Sequence, residues 1–96
     1  MVASRRWMEP DSVLIDRRDR IILAGSETTG ISMGSVMRIT RRGRVDRRFD
    51  SGLSLTPKME YILDSTADRR GRIVVAGRGA APRGDAIFGT ARIQNR

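Results

Sequence analysis

The chain has 96 residues, enough for one small domain, and its 19 basic and 11 acidic side chains give it a formal net charge of +8. It contains no cysteine and no histidine, which excludes disulfides, thiol nucleophiles, histidine acid–base catalysis and zinc sites with Cys or His ligands. We therefore expect a non-enzymatic protein with no cofactor and no metal site.

The first ten residues mix charged side chains with a few apolar ones, and they predict a polar lead-in in which Trp7 covers an apolar edge. This segment lacks the composition of a signal peptide, and no apolar run in the chain reaches the length of a membrane span. The sequence leaves the cellular compartment open.

One ten-residue segment occurs twice. Residues 16–25 are Asp-Arg-Arg-Asp-Arg-Ile-Ile-Leu-Ala-Gly, and residues 68–77 are Asp-Arg-Arg-Gly-Arg-Ile-Val-Val-Ala-Gly, an offset of 52 residues. A period of this size is typical of solenoids, propellers and arrays. We therefore divide the chain, within one structural domain, into a first repeat at 11–58 and an incomplete second repeat at 59–96.

In both copies a polar stretch separates two short apolar runs, a pattern that predicts a β-hairpin. Asp68 and Gly71 suit the first and last positions of a type I turn, in which the glycine adopts a left-handed conformation. Asp19 replaces this glycine in the first copy, so we expect the first turn to be the more strained of the two.

The strand that follows each turn is apolar at every position. Ile21 and Leu23 lie on one side of the first strand and Ile22 on the other, which predicts a strand buried on both faces and hence neighbouring sheets. The small alanine next to Gly25 or Gly77, at the end of each strand, predicts a close approach of a neighbouring backbone there.

The remainder of each repeat predicts loops and shorter strands. Polar and glycine-rich residues at 26–34 and 78–85 predict two variable loops, and residues 35–40 and 89–93 predict the third strand of each repeat. Residues 44–49 predict a fourth strand, followed by a connection to the second repeat.

A three-residue hairpin loop ending in a left-handed Gly43 sets the register of that fourth strand. The register places Thr40 opposite Arg44 and Arg38 opposite Asp46. It predicts an Arg38–Asp46 contact with a structural role.

The order of these motifs resembles the delta-60 repeat. The elements that match are residues 72–77, residues 37–39, Gly43, Asp46 and Phe49, and the resemblance extends over about one and three-quarter repeats. It implies an all-β, propeller-like fragment built of antiparallel four-stranded blades, in a family that is typically bacterial and often secreted or surface-associated. The resemblance implies no catalytic residues. The structural residues that we expect from the pattern are Gly25, Gly77, Gly71, Gly43, Arg38, Asp46 and Phe49.

The chain departs from the family at Asp19 and Asp50, where glycine is preferred, and in its small number of repeats. Fewer than two blades do not close a propeller, which ordinarily takes 4–8. We therefore expect a piece of a longer protein or a unit that assembles with further repeats, and hence a structural or interaction module with a protein partner possible.

Three other sequence features are weaker evidence of function. The Arg83-Gly84-Asp85 tripeptide matches an integrin-binding motif by chance at an appreciable rate in a chain of this composition. Residues 41–44 contain an Arg-Gly-Arg core found in minor-groove binders, but they are expected to form a turn. The arginines are spread over many turns and strands, so weak, non-specific nucleic-acid binding is the alternative function and nucleic acid is not the expected main partner.

Overall fold

The computed structural model describes residues 8–29, 31–50, 59–80 and 86–96 of the chain. Within these residues the fold contains strands and turns and no helix, as the sequence predicted. Six strands form two antiparallel three-stranded sheets with consecutive strands adjacent. Sheet 1 comprises β1 (Met8–Ile15), β2 (Ile21–Thr29) and β3 (Ile31–Ile39), and sheet 2 comprises β4 (Tyr61–Ala67), β5 (Ile73–Ala80) and β6 (Ala86–Ile93).

The two repeated turns have the predicted geometry. The Asp19 N–H donates to the Asp16 carbonyl oxygen at 3.1 Å, and the Gly71 N–H donates to the Asp68 carbonyl oxygen at 3.0 Å. Asp19 has φ 59° and Gly71 has φ 77°, so both lie in the left-handed region. The glycine and the aspartate therefore occupy the same backbone conformation, which only glycine adopts without steric cost.

Gly25 and Gly77 lie opposite β-bulges. Pairing between β1 and β2 shifts register just after Pro10, the partner of Gly25, and pairing between β4 and β5 shifts just after Ile62, the partner of Gly77. A Cβ at Gly25 would overlap the carbonyl group of Glu9, and a Cβ at Gly77 would overlap a β4 carbonyl oxygen in the same way. The predicted close approach of backbone is confirmed at both glycines.

The prediction of a loop at 26–34 is wrong. β2 and β3 pair without interruption from Ser26 opposite Gly34 to Thr29 opposite Ile31. Small and β-branched residues are compatible with extended backbone, and the ladder hydrogen bonds of an antiparallel hairpin satisfy their N–H and C=O groups.

Two other strands are also longer than the sequence predicted. β1 begins at Met8, inside the expected lead-in, and β5 continues to Ala80, inside the second expected loop. Residues 1–7, which include Trp7, and residues 81–85, which include the Arg-Gly-Asp tripeptide, lie outside the described part of the chain.

The expected fourth strand at 44–49 is also not found. Only one bridge, between Ile39 and Val45, continues the ladder. Beyond it the backbone turns, because the Phe49 N–H donates to the Asp46 carbonyl oxygen at 3.2 Å and the Arg48 N–H donates to the Asp46 carboxylate at 3.0 Å. Asp46 thus forms a turn with its own side chain and ends the strand.

The two sheets pack face to face around a small apolar core. The buried members are Ile22, Ala24, Val36, Ile62, Ile73, Val75 and Ile93. At the edge of this core the Ser12 and Ser65 hydroxyl groups form a hydrogen bond between β1 and β4. Two such sheets do not form a closed propeller.

Corresponding strands contribute opposite faces to this core. β2 buries Ile22, whereas β5 buries Val75, which corresponds to Leu23 at the 52-residue offset. The expectation that each strand is buried on both faces is therefore met on one face only: Leu23 is half-buried and Ala76 is exposed. Each sheet has one neighbour within the described residues, so its second face has none.

Candidate functional site

Four turns of the structure carry two consecutive arginines directly after a residue that caps the turn. The cap accepts a backbone N–H through its side chain: Asp16 from Arg18 at 2.9 Å, Asp68 from Arg70 at 2.8 Å, Asp46 from Arg48 at 3.0 Å, and Thr40 from Arg44 at 3.2 Å. This bond fixes the turn that the two following arginines occupy. The eight arginines, all exposed, are Arg17, Arg18, Arg41, Arg42, Arg47, Arg48, Arg69 and Arg70.

The topology brings all four turns to one end of the molecule. Ile21, which begins β2, pairs with Ile39, which ends β3, so the turn before β2 lies beside the segment after β3. The two sheets meet at the same end, where the Arg17 guanidinium donates to the carbonyl oxygen of Arg69 at 2.8 Å. We call this surface, formed by residues 16–20, 40–49 and 68–72, the arginine-rich end.

An open cleft of about 840 Å³ lies within the arginine-rich end. Its lining residues are Arg17, Arg18, Asp19, Arg20, Thr40, Arg41, Arg42, Arg44, Val45, Asp46, Arg47 and Arg48. A smaller recess of about 230 Å³ separates the turn of sheet 1 from that of sheet 2 and includes Arg70 and Asn95. Arginine is thus the predominant side chain on these surfaces.

The floor of this end is a hydrogen-bonded network that joins the two sheets. The Asn95 amide donates to the Asp16 carboxylate at 3.1 Å, and its oxygen accepts from the Arg38 guanidinium at 3.0 Å. Arg20 donates to the same Asp16 oxygen at 2.7 Å. Burial would raise the pKa of the Asp16 carboxyl, but hydrogen bonds from Arg20 and Asn95 outweigh it and hold this pKa at about 2.

The predicted Arg38–Asp46 contact is confirmed and lies in this network. Arg38 Nε and Nη2 lie 2.8 and 2.7 Å from Asp46 Oδ2, and both side chains are buried. The register is also as predicted, since Thr40 pairs with Arg44 and the Asp46 N–H donates to the Arg38 carbonyl at 2.8 Å. Burial would raise the pKa of Asp46, but the Arg48 N–H and the Arg38 guanidinium lower it below its usual value.

The structure groups three of the seven expected structural residues. The Arg38 guanidinium lies 4.8 Å from the centre of the Phe49 ring, so Arg38, Asp46 and Phe49 form one cluster. Gly43, with φ 83°, lies in the neighbouring turn. The other glycines are separate from this cluster, at Gly71 in the sheet 2 turn and at the two bulges.

A second surface is the face of sheet 1 that points away from sheet 2. Val13 and Ile15 on β1 are 65% and 68% exposed there. Their neighbours across the sheet are half-buried apolar residues: Ile21, Leu23, Met37 and Ile39. We call this surface the outer face of sheet 1.

The outer face of sheet 2 has a different character. Its exposed residues include Thr66, Ala76, Phe88, Thr90 and Arg92, of which Phe88 is 77% exposed. Arg92 lies 3.4 Å from the carboxylate of Asp68, across the end of the sheet. The two outer faces of the molecule therefore differ, one being apolar and the other mixed.

Sequence reasoning missed both Asn95, which joins the sheets, and the grouping of the arginines. Asn95 lies beyond the last predicted strand, and no local pattern marks its partners. The arginines did carry a signal, because the same Arg-Arg pair follows an Asp or Thr four times in the described part of the chain. Together with the predicted turns, that recurrence indicates paired arginines at turn corners.

Within residues 8–29, 31–50, 59–80 and 86–96, no group of acidic side chains is arranged to hold a metal ion. The same residues include no helix that is long and apolar enough to cross a membrane. No protein-family model, curated protein or solved structure matches the chain.

Proposed function

We infer that this chain is a non-enzymatic repeat module that packs a further β-sheet of its own kind onto the outer face of sheet 1, in a propeller-like assembly. The observation that carries this proposal is the pair of corresponding residues Leu23 and Val75. Val75 is fully buried by sheet 1, whereas Leu23 lies on the outer face of sheet 1 and remains half-buried. The first repeat thus presents the same kind of face that is covered in the second.

The composition of the outer face supports an apolar partner. Val13 and Ile15 are mostly exposed and adjoin half-buried aliphatic residues on β2 and β3. Full burial of a Val or Ile side chain contributes about 1.5–3 kcal/mol. A contiguous apolar face of this kind is typical of an interaction surface.

The opposite face of the molecule supports the assignment of the partner to sheet 1. Thr66 and Thr90, exposed on sheet 2, correspond to Leu14 and Val36, which pack in the core from sheet 1. Phe88 is 77% exposed on the same face of sheet 2, which is therefore mixed. The more uniformly apolar outer face of sheet 1 is the one to which we assign the partner.

The oligomeric state of the chain tests the proposal, with the outer face of sheet 1 of a second copy standing in for the further sheet. We expect light scattering after size exclusion to show association that increases with protein concentration. The double variant Val13→Thr/Ile15→Thr keeps β-branched side chains but adds hydroxyl groups, and we expect it to be monomeric. Thr66→Ser/Thr90→Ser, on the outer face of sheet 2, is the matched control and is expected to associate like the wild type. A monomeric wild type, or equal association of all three proteins, would contradict the proposal.

A further inference from the structure

The arginine-rich end is a surface distinct from the outer face of sheet 1, because it lies at the ends of the strands. We propose that it binds the phosphodiester backbone of nucleic acid without reading the base sequence. The site comprises the four turns with paired arginines and the cleft of about 840 Å³ between three of them.

The arginines at the turn corners are available to a ligand. Arg18, Arg41, Arg42, Arg47 and Arg70 are exposed, and they form no ion pair with any residue in the described part of the chain. Guanidinium groups stay charged at any physiological pH, and their planar donor pairs match two oxygens of one phosphate. Several such groups on adjacent turns repel one another, and a bound polyanion removes that repulsion.

Four carboxylates lie at this end, and only Asp19 is exposed beside the cleft, whereas the other three do not face the corner arginines. Asp16 and Asp68 point under their turns, where each accepts backbone N–H groups and pairs with Arg20 or Arg72. Asp46 likewise points inward to Arg38, at 2.7 Å. The caps that build the turns thus use their negative charge inside the fold, and the positive charge of the corner arginines remains outside.

The remaining lining residues favour backbone contacts over other kinds of recognition. None of the residues that line the described cleft is aromatic, so it offers no surface on which bases stack. Val45 is its single apolar lining residue and is half-buried, so the cleft presents no apolar side chains for insertion into a lipid surface. What is left is an array of phosphate-binding groups, which position a nucleic acid and carry no sequence information.

The spread of the array favours an extended ligand. Three arginine pairs line the cleft on sheet 1, and the fourth lies on sheet 2, where Arg70 borders the adjacent recess. The Arg17–Arg69 hydrogen bond of 2.8 Å makes these surfaces continuous. A chain of linked phosphates reaches several pairs at once, whereas an isolated phosphate occupies one.

Fluorescence anisotropy with labelled DNA oligonucleotides of unrelated sequence, single-stranded and duplex, tests the proposal on the full chain. We expect binding that is independent of sequence and falls steeply with salt. Arg41→Gln removes one guanidinium from the cleft and is expected to lower the slope of log K against log salt on duplex DNA by about 1. Arg78→Gln removes the same formal charge from β5 and is the matched control, expected to leave that slope nearly unchanged.

Circular dichroism of both variants establishes that the β-structure is retained. Equal loss of binding in the Arg41→Gln and Arg78→Gln variants would overturn the assignment to the arginine-rich end. Binding to only one of the unrelated oligonucleotides would overturn sequence-independent binding. Binding to sodium polyphosphate or to phosphatidylserine vesicles without binding to any oligonucleotide would overturn nucleic acid as the ligand.

Discussion

Arg38 and Arg92 hold the same place in their sheets and meet opposite environments. Arg38 pairs with Ile22 and Arg92 pairs with Val74, and these two partners correspond at the 52-residue offset. The Arg38 side chain is 4% exposed and contacts Asp46, Phe49 and Asn95, whereas the Arg92 side chain is 57% exposed. The burial of a residue in this protein thus depends on the segments that contact it as much as on its position in the repeat.

The buried Arg38–Asp46 pair leads to a prediction on stability. Asp46→Ala leaves the Arg38 charge buried without its carboxylate, and we expect the free energy of unfolding to fall by about 3 kcal/mol. Arg48→Ala is the control, since Arg48 lies 3.8 Å from the same carboxylate but is 91% exposed, and its loss should cost less than about 1 kcal/mol. Urea denaturation measures both, and equal effects of the two changes would contradict a structural role for the buried pair.

Exchanging aspartate and glycine at the left-handed positions of the two repeated turns is expected to have opposite effects on stability. Asp19→Gly relieves a backbone conformation that aspartate adopts at a cost, so we expect it to raise the free energy of unfolding by about 0.5–1 kcal/mol. Gly71→Asp introduces the same cost in the second turn and is expected to lower it by a similar amount. Thermal unfolding of both variants measures this, and a destabilising Asp19→Gly would disprove the expected strain.

The low pKa of Asp16 predicts a loss of stability in acid. Because this pKa is about 2 in the fold and near 3.9 in an unfolded chain, the stabilisation from Asp16 is complete above about pH 4 and disappears as the pH falls through 2. Asn95→Ala removes one hydrogen bond to the carboxylate, so we expect the onset of acid unfolding to move to higher pH. Asp16→Asn should remove this dependence in part, since the pKa of Asp46 and that of Asp68 are lowered as well.

Titration of the Asp16 carboxyl carbon by NMR measures the same effect directly. A midpoint at the ordinary value for aspartate, in the wild type, would show that the hydrogen bonds from Asn95 and Arg20 do not hold the charged form.

Alanine is expected to destabilise the protein more at the bulge residue Gly25 than at the turn residue Gly43. A methyl group at Gly25 would overlap the carbonyl of Glu9, so Gly25→Ala requires β1 to move away and is expected to cost about 3 kcal/mol. A Cβ at Gly43 has no atom within 4 Å, and the cost of Gly43→Ala is the left-handed backbone alone, about 1 kcal/mol. Chemical denaturation separates the two, and similar costs would mean that the bulge tolerates a side chain.

Local turn chemistry accounts for what the sequence predicted correctly. The Asp68–Gly71 turn and the left-handed Gly43 follow from residues within four positions of one another, and Gly43 in turn sets the register that joins Arg38 to Asp46. The same local reasoning failed at residues 26–34, because hydrogen bonding along a hairpin is compatible with Ser, Thr and Gly.

The candidate site required information that no segment carries alone. Arg17 and Arg69 are 52 residues apart, and only the packing of one sheet on the other brings their turns together. Asn95 is likewise remote in sequence from Asp16, although their side chains bond at 3.1 Å. The arginines are spread along the chain, and they form a single charged surface because the four turns that carry them lie at the same end of the molecule.

Because β2 and β5 bring opposite faces to the core, the interface between the two sheets joins two different kinds of face. An interface formed by one kind of face on another contains no twofold axis, so units joined through it line up head to tail, and nothing in the contact itself limits their number. Such a series ends by ring closure or at a unit whose free face is too polar to accept another. Thr66 and Thr90 make the free face of the second sheet more polar than the surface that Val13 and Ile15 form on the first sheet, and Phe88 adds one exposed apolar side chain to it.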